Sequence, residues 1–269
     1  MTAQTRGEMR RLLERHGINP KTTLGQHFLA DPNITRRVVS VAAIELGDRV
    51  IEVGAGTGTL TRALVEAGAT VTAIEIDQRL RPLLEETLAG LPVDLIFADA
   101  LRLDYQHVLG GLRWKAVANL PYQVGSQLVL DWLRLVPQIT EMTVMVQLEV
   151  AQRFAAQPGS PAYGLPSVVA ALYGNVKVAF RVPPQVFYPA PRVESAVIRV
   201  VRHEPPPAAV GALELAAAGF GQRRKMLRKS LSVVVDDPEP MLRAAGIDPT
   251  LRAENLSPDD FVRLAEARR

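Results

Sequence analysis

The sequence predicts an α/β fold: a parallel sheet with helices on both faces, an antiparallel pair at one edge, and a small all-helical domain at the C-terminal end. Three observations predict it. From Asp48 onward, over about 100 residues, apolar β-branched runs alternate with segments of helical spacing, the pattern of repeated strand–helix units. The alternation then gives way to two strand-like runs with no helix between them, "NVKVAFRV" and "SAVIRVVR". Beyond the proline-rich linker "HEPPPAAV" (His203–Val210) the apolar period is helical to the end. The predicted domains are residues 1–204, with an N-terminal helical extension over 1–40, and residues 205–269.

The elements follow in order. "RVIEVGAG" is a strand that ends in glycines, and "TLTRALVEAG" is a helix closed by Gly. "TVTAIEID" is a strand, "QRLRPLLEETLAGL" a helix and "VDLIFADA" a third strand. "KAVANLPY" is the fourth, "SQLVLDWLRLV" a helix and "EMTVMVQLE" the fifth strand. The edge pair is joined by "PPQVFYPAPRVE". In the C-terminal domain "GALELAAAGFGQRRKMLRKSLSVVV" and "LSPDDFVRLAEARR" are helical by period. Ser257 is placed to cap the last helix, with Pro258 in its first turn.

Composition removes several function classes. The chain has 269 residues, of which 48% are hydrophobic, enough for one large domain or a medium and a small one. No apolar run approaches the roughly 18 residues of a membrane span. The first residues, "MTAQTRGEMRRLLERHG", lack the apolar stretch of a signal peptide. A cytosolic protein with no membrane partner is expected. There is no cysteine, so disulfides, thiol catalysis and cysteine-ligated zinc are excluded. His16, His27, His107 and His203 show no metal-ligand spacing, and no metal is expected. The net charge is +3 and the pI about 9.4, but the positive charge is clustered. "GQRRKMLRKSL" carries Arg223, Arg224, Lys225, Arg228 and Lys229 with no acid, and a second cluster lies in Arg6–Arg15. Both suit a polyanionic partner.

The end of the first strand points to a nucleoside. "EVGAGTGTL" puts Gly54, Gly56 and Gly58 between strand and helix, where glycines admit a ligand to the backbone and the helix N-terminus offers free N–H groups. The dinucleotide pattern G-x-G-x-x-G would need a third glycine at Thr59. The pattern present, G-x-G-x-G, is usual for S-adenosylmethionine (SAM) enzymes; NAD remains an alternative. Glu75 ends the second strand, 21 residues after Gly54, where a carboxylate can hold both ribose hydroxyls. Asp99 ends the third, 24 residues on, within reach of an adenine amino group. Asn119 ends the fourth, 20 residues further. Each step is one strand–helix unit, so the four positions fall on one rim, the place where parallel sheets bind ligands.

NAD would not explain "NLPY" (Asn119, Leu120, Pro121, Tyr122). An adenine amine is a poor nucleophile, because its lone pair is delocalised into the ring. Two acceptors on its two N–H bonds hold it in a geometry that frees the lone pair. Asn119 supplies a side-chain carbonyl, and the backbone carbonyl of Leu120 or Pro121 supplies the second. Pro121 fixes the turn, and Tyr122 offers a stacking face. An Asn rather than an Asp avoids a buried charge beside the cofactor. A second aromatic opposite Tyr122 is expected from "VFYPAP", either Phe187 or Tyr188. The target base must leave any duplex to reach the site.

Taken together these residues resemble the small-subunit ribosomal RNA adenine dimethyltransferases, whose loss gives kasugamycin resistance. The resemblance runs through "KTTLGQHFLAD" (Lys21–Asp31), "EVGAGTGTLT", "AIEID", "ADAL", "NLPY", "QLEVAQRF" (Gln147–Phe154), "FYPAPRVESAV" (Phe187–Val197), "GQRRKMLRKSL" and "RAENLSPDDF" (Arg252–Phe261). It implies a Rossmann-like class I SAM-dependent methyltransferase sheet. It also implies N6,N6-dimethylation of two adjacent adenosines in a hairpin near the 3′ end of small-subunit rRNA. The partner would be the 30S subunit or its assembly intermediate, and the enzyme a monomer. The family's cofactor-binding positions fall here on His27, Leu29, Gly54, Glu75, Asp99 and Asn119, with Gly56 in the same loop. Relatives often carry Asn at the His27 position, so the contact there is expected through the backbone or a tolerant side-chain bond. Two rival readings are a large-subunit rRNA adenine methyltransferase and a non-catalytic ribosome assembly factor on the same fold. The C-terminal motifs favour the small-subunit enzyme over the first, and the intact Gly54, Glu75, Asp99 and Asn119 disfavour the second.

Overall fold

The computed structural model describes residues 4–268. Its strands, in chain order, are β1 (Phe28–Leu29), β2 (Arg49–Val53), β3 (Thr70–Glu75), β4 (Val93–Phe97), β5 (Trp114–Asn119), β6 (Ile139–Gln147), β7 (Gly174–Val182), β8 (Phe187–Tyr188) and β9 (Ser195–Arg202). Seven of them form one sheet in the order β4-β3-β2-β5-β6-β9-β7. The pairs β4–β3, β3–β2, β2–β5 and β5–β6 are parallel, and β6–β9 is antiparallel. This is the α/β class the alternation predicts, with β7 and β9 at the predicted edge. From β2 the chain runs outward to β3 and β4, then crosses back to β5 on the other side. The reversal opens a crevice at the carboxyl ends of β2 and β5.

Burial explains the strand sequences. Val50, Ile51 and Val53 of β2, and Val71, Ala73 and Ile74 of β3, are all buried, as expected for strands covered on both faces. Helix Gly125–Leu135 buries Leu128, Val129, Trp132 and Leu133 on one stripe, the spacing of an amphipathic helix. Helix Pro32–Ala42 starts at Asp31, whose carboxylate accepts from the Asn33 and Ile34 amides at 2.8 and 3.1 Å.

The chain divides into two compact units. The first takes the described residues up to Ala151 together with Lys177–Val201, and the second takes Gln152–Val176 with the residues from Arg202 on. The expected boundary at 204/205 is close at that point, but 152–176 departs from it. Helix Leu165–Tyr173 belongs with the C-terminal helices, not with the sheet. Its apolar residues Val168, Val169, Ala170 and Leu172 are all buried. Within the second unit Tyr163 donates its hydroxyl to the Leu256 carbonyl at 2.8 Å and meets Phe220 edge-on, and Phe220 in turn meets Phe261. Gly219 lets helix Ala209–Gly221 approach Ala253: a Cβ at that position would lie 2.9 Å from the Ala253 Cβ. Ser257 caps helix Pro258–Ala267 as the sequence suggests, accepting from the Asp260 amide at 3.1 Å.

Two further features differ from the sequence reading. "GQRRKMLRKSL" is not part of a continuous helix. The helix ends at Gly221 and a short one resumes at Leu227–Ser230. The break is tied to a distant segment: the Leu227 and Arg228 amides bond to the carbonyls of Leu251 and Pro249 at 2.7 and 3.1 Å, not to the preceding turn. The second feature is new. β1 and β8 form a separate antiparallel pair, with Phe28 opposite Tyr188 and Leu29 opposite Phe187.

Candidate active site at the sheet rim

β2 delivers the glycine loop. Gly54 and Gly56 have φ of 82° and 58°, a backbone region that favours glycine. A Cβ on Gly56 would also meet the Phe28 ring at 2.9 Å. β3 ends on Glu75, which is only 5% exposed. Its Oε2 accepts from the Gly56 amide at 2.9 Å, and its Oε1 from the Ile76 and Asp77 amides at 3.0 and 2.9 Å. Burial pushes its carboxyl up, while the hydrogen bonds from Asp77, Gly56 and Ile76 oppose that shift. Asp99 lies two residues beyond β4, its Oδ1 held by the Leu101 amide at 3.0 Å.

Asn119 is the last residue of β5. Its Nδ2 donates to the His27 carbonyl at 3.0 Å. A carbonyl only accepts, so this bond fixes the amide orientation and leaves Oδ1 as the free acceptor. The two candidate backbone acceptors are not equivalent. The Pro121 carbonyl accepts from the Val124 and Gly125 amides at 3.1 and 2.9 Å, opening the next helix. The Leu120 carbonyl has no partner among the described residues. The structure thus favours Leu120 over Pro121 as the second acceptor.

Tyr122 is half-buried. Its hydroxyl shares a 2.6 Å hydrogen bond with Ser195 Oγ, and its ring stacks on His27 with centroids 5.6 Å apart and planes inclined by 26°. One face of Tyr122 is therefore taken, and the other is the one a base can use. The His27 Nδ1 lies 2.8 Å from the Pro189 carbonyl, so Nδ1 carries the proton. The His27 carbonyl is engaged by Asn119, and its ring by Tyr122 and the Pro189 carbonyl.

Two expected residues lie elsewhere. Phe187 has no exposed surface and packs in the core beside Leu29. Strand alternation turns it inward and leaves the neighbouring Tyr188 half-buried, beneath the Arg6 guanidinium at 5.7 Å. Phe187 thus presents no stacking face here. Leu29 is also a core residue, and Phe28 takes the place on the pocket wall. In the second unit, Arg223 is bound to Glu254 at 3.0 Å and to the Pro161 carbonyl, and Arg228 lies 3.7 Å from Glu239. Arg224, Lys225 and Lys229 are exposed and have no ion pair among the described residues.

The pocket between the strand ends is walled by Gly54, Gly56, Glu75, Asp99 and Asn119, with Phe28 across from the glycines. Positive-φ glycines, backbone amides and two carboxylates at successive strand ends fit a nucleoside bearing a short charged tail. Sequence reasoning missed Ile76 and Leu101, exposed apolar residues on the pocket wall that offer a surface to a flat ring. It also missed Gln26 and Asp77. The available signal was their place directly beside His27 and two residues after Glu75. Among the described residues no group of three or more His, Asp or Glu is placed to hold a metal. No helix among them is long and apolar enough to cross a membrane.

Known proteins place the chain in a family. A relative from Phenylobacterium zucineum, a ribosomal RNA small subunit methyltransferase A, is 45% identical and spans 99% of this chain and 94% of its own length. One of the same description from Magnetococcus marinus is 43% identical over 96% of this chain and 95% of its own. The crystal structure of the 23S rRNA methyltransferase ErmE matches with a TM-score of 0.71 at 27% identity, covering 89% of this chain and 98% of that one. A dimethyladenosine transferase from Plasmodium falciparum shares the fold, with a TM-score of 0.72 at 22% identity over 88% of this chain and 96% of its own. The sequence profile described as ribosomal RNA adenine dimethylase matches residues 17–268, and on that breadth of match the chain belongs to the ribosomal RNA adenine dimethylase family.

Proposed function

We propose that this protein dimethylates the N6 amines of two adjacent adenosines in a hairpin near the 3′ end of small-subunit rRNA, using SAM. The observation that carries the reading is the state of Asn119. Its amide is anchored through Nδ2 to His27, so Oδ1 is committed to accepting, and the carbonyl of Leu120, the next residue in sequence, has no partner among the described residues. Acceptors on two successive residues suit an amine with two N–H bonds. The small-subunit relatives at 43–45% identity favour that substrate over the large-subunit alternative. The intact glycine loop, Glu75 and Asp99 favour an enzyme over a pure assembly factor.

The chain's residues divide the work. Glu75 holds the ribose hydroxyls, Asp99 the adenine amino group of the cofactor, and the Gly54–Gly56 backbone lets the ligand approach closely. When bound, SAM supplies a methyl group already activated on a sulfonium. Asn119 Oδ1 and the Leu120 carbonyl accept from the two N–H bonds of the target amine and turn its lone pair toward that methyl. Tyr122 stacks on the flipped base through the face that His27 leaves open. No base is needed at the amine, because its proton becomes acidic only after transfer and can leave to water. Arg224, Lys225 and Lys229 hold rRNA phosphates, with Arg223 and Arg228 joining if their carboxylate partners release them. The protein acts as a cytoplasmic monomer on the 30S subunit or its assembly intermediate.

The test is transfer of labelled methyl from SAM to undermethylated small subunits, followed by nucleoside analysis. N6,N6-dimethyladenosine at two adjacent positions is expected. Absence of label in adenine, with the protein bound to the subunit, would favour the assembly-factor reading.

A further inference from the structure

The segment Lys21–Leu29 lies against both ends of the pocket, and three successive residues of it make different attachments. Gly25, at φ 67°, packs on Pro121: a Cβ there would lie 3.2 Å from the Pro121 Cβ. Gln26, only 8% exposed, donates its Nε2 to Asp77 Oδ2 at 2.7 Å and accepts the Lys21 amide on Oε1 at 2.6 Å. The Gln26 amide returns a bond to the Lys21 carbonyl at 3.2 Å, so the bend in the segment is closed on itself. His27 gives its carbonyl to Asn119. Asp77 is itself fixed. Its Oδ1 accepts from Arg79 Nε at 2.9 Å, and its amide donates to Glu75 Oε1 at 2.9 Å. Arg79, with Gln26, holds the Asp77 carboxyl below the usual carboxylate range, so it is ionised and accepts at neutral pH.

These bonds form one continuous path: Glu75, Asp77, Gln26, His27, Asn119. We infer that Gln26 and Asp77 are positioning residues that clamp this segment, so that adjacent residues of one strap hold the ribose-binding carboxylate and the amine-aligning amide in register. The inference rests on the methyltransferase reading. Neither Gln26 nor Asp77 needs to touch the target base, since their effect passes through the His27 carbonyl to the Asn119 amide. Without the clamp the His27 carbonyl is free to drift, the Asn119 side chain loses its anchor there, and Oδ1 is no longer held toward the amine.

The chemistry of the Gln26–Asp77 bond supplies the test. Gln26→Glu sets two carboxylates in contact and should open the clamp. Adding Asp77→Asn again sets one donor against one acceptor between positions 26 and 77, with the polarity reversed, at the loss of the bond that Asp77 Oδ2 accepts from Arg79 Nη2, while the Lys21 amide keeps its acceptor. Single-turnover methylation of undermethylated small subunits at saturating SAM should fall about tenfold in Gln26→Glu, the scale of a small misplacement of a reacting group. It should recover about threefold in the double variant, which keeps the clamp but not the second Arg79 bond. Hydrogen exchange of the amides in residues 21–29 should accelerate in Gln26→Glu, slow again in the double variant, and stay unchanged in β2 and β3. Wild-type exchange over 21–29 in Gln26→Glu would overturn the clamp whatever the enzyme does. So would faster exchange with an unchanged single-turnover rate, because the strap would then not position Asn119. A failure of the wild-type protein to methylate would instead count against the proposed function, and the exchange measurement would still decide whether the clamp exists.

Discussion

The two sides of the pocket are built by different means. On the cofactor side, Glu75 is buried and both of its oxygens are held by three backbone amides from the loops that flank it. On the amine side, Asn119 is held by one bond to a carbonyl 92 residues away in sequence, and Tyr122 by one bond to Ser195 and one ring contact to His27. The first side is fixed by the strand ends of the sheet itself, whereas on the second only Ser195, at the start of β9, belongs to the sheet, and the His27 contacts come from a segment that docks from outside it. Damage to the cofactor side should therefore cost stability as well as affinity. Damage to the amine side should cost rate or substrate capture with little change in SAM binding.

The largest effect that sharpens this contrast is at Glu75. Glu75→Ala should weaken SAM binding by about ten- to hundredfold, the worth of charge-assisted hydrogen bonds of about 1.5–3 kcal/mol. It should also lower the melting temperature, because three backbone amides lose their acceptor. Calorimetry that finds unchanged SAM affinity in a folded variant would remove Glu75 from the site. Tyr122→Ala comes next. It should weaken capture of the target adenine by about 1–3 kcal/mol and leave SAM affinity alone, as read from the dependence of the single-turnover rate on subunit concentration. Tyr122→Phe should keep most activity, but at a stability cost of about 1 kcal/mol, since the buried Ser195 hydroxyl loses its partner.

A smaller effect tests the basic segment of the second unit. Replacing Arg224, Lys225 and Lys229 with neutral residues should weaken subunit binding and reduce the log–log salt slope by about 2. An unchanged slope would mean that these cations face only solvent. A separate effect, on stability rather than on the reaction, concerns Glu52, buried in β2 with an Oε2 that has no partner among the described residues. Burial pushes its carboxyl up to about 8 from 4.5. Between those values the folded state holds a proton that the unfolded chain has released, so stability should fall as pH rises from about 5 to about 8. Glu52→Gln should flatten that part of the curve in melting scans. A parental slope in the variant would place the titration elsewhere.

The same contrast explains what could be seen in the sequence. Gly54, Glu75, Asp99 and Asn119 were legible because each closes a strand–helix unit of regular length, so spacing alone put them on one rim. The strap was not legible. β1 and β8 are two residues long, too short to show a period, and they pair across roughly 160 residues of chain. Phe187 and Tyr188 are equivalent candidates for the second aromatic in the sequence because period-2 alternation needs a known register, and the pairing with Leu29 turns Phe187 into the core. The basic run at Gly221–Leu231 was visible as charge. Its break was not, because the bonds that end the helix come from residues 249–251. The choice between the Leu120 and Pro121 carbonyls likewise depended on which one the following helix consumes.

The most direct test of the account compares two numbers for Asn119→Ala: SAM affinity by calorimetry and the single-turnover rate of methyl transfer to undermethylated small subunits at saturating SAM. The alignment mechanism predicts an affinity within about threefold of the parent and a rate lower by about a hundredfold or more, the scale of removing one preorganised hydrogen-bonding group from a transition state. A near-normal rate in a folded variant would contradict it and leave Asn119 as the turn residue that ends β5.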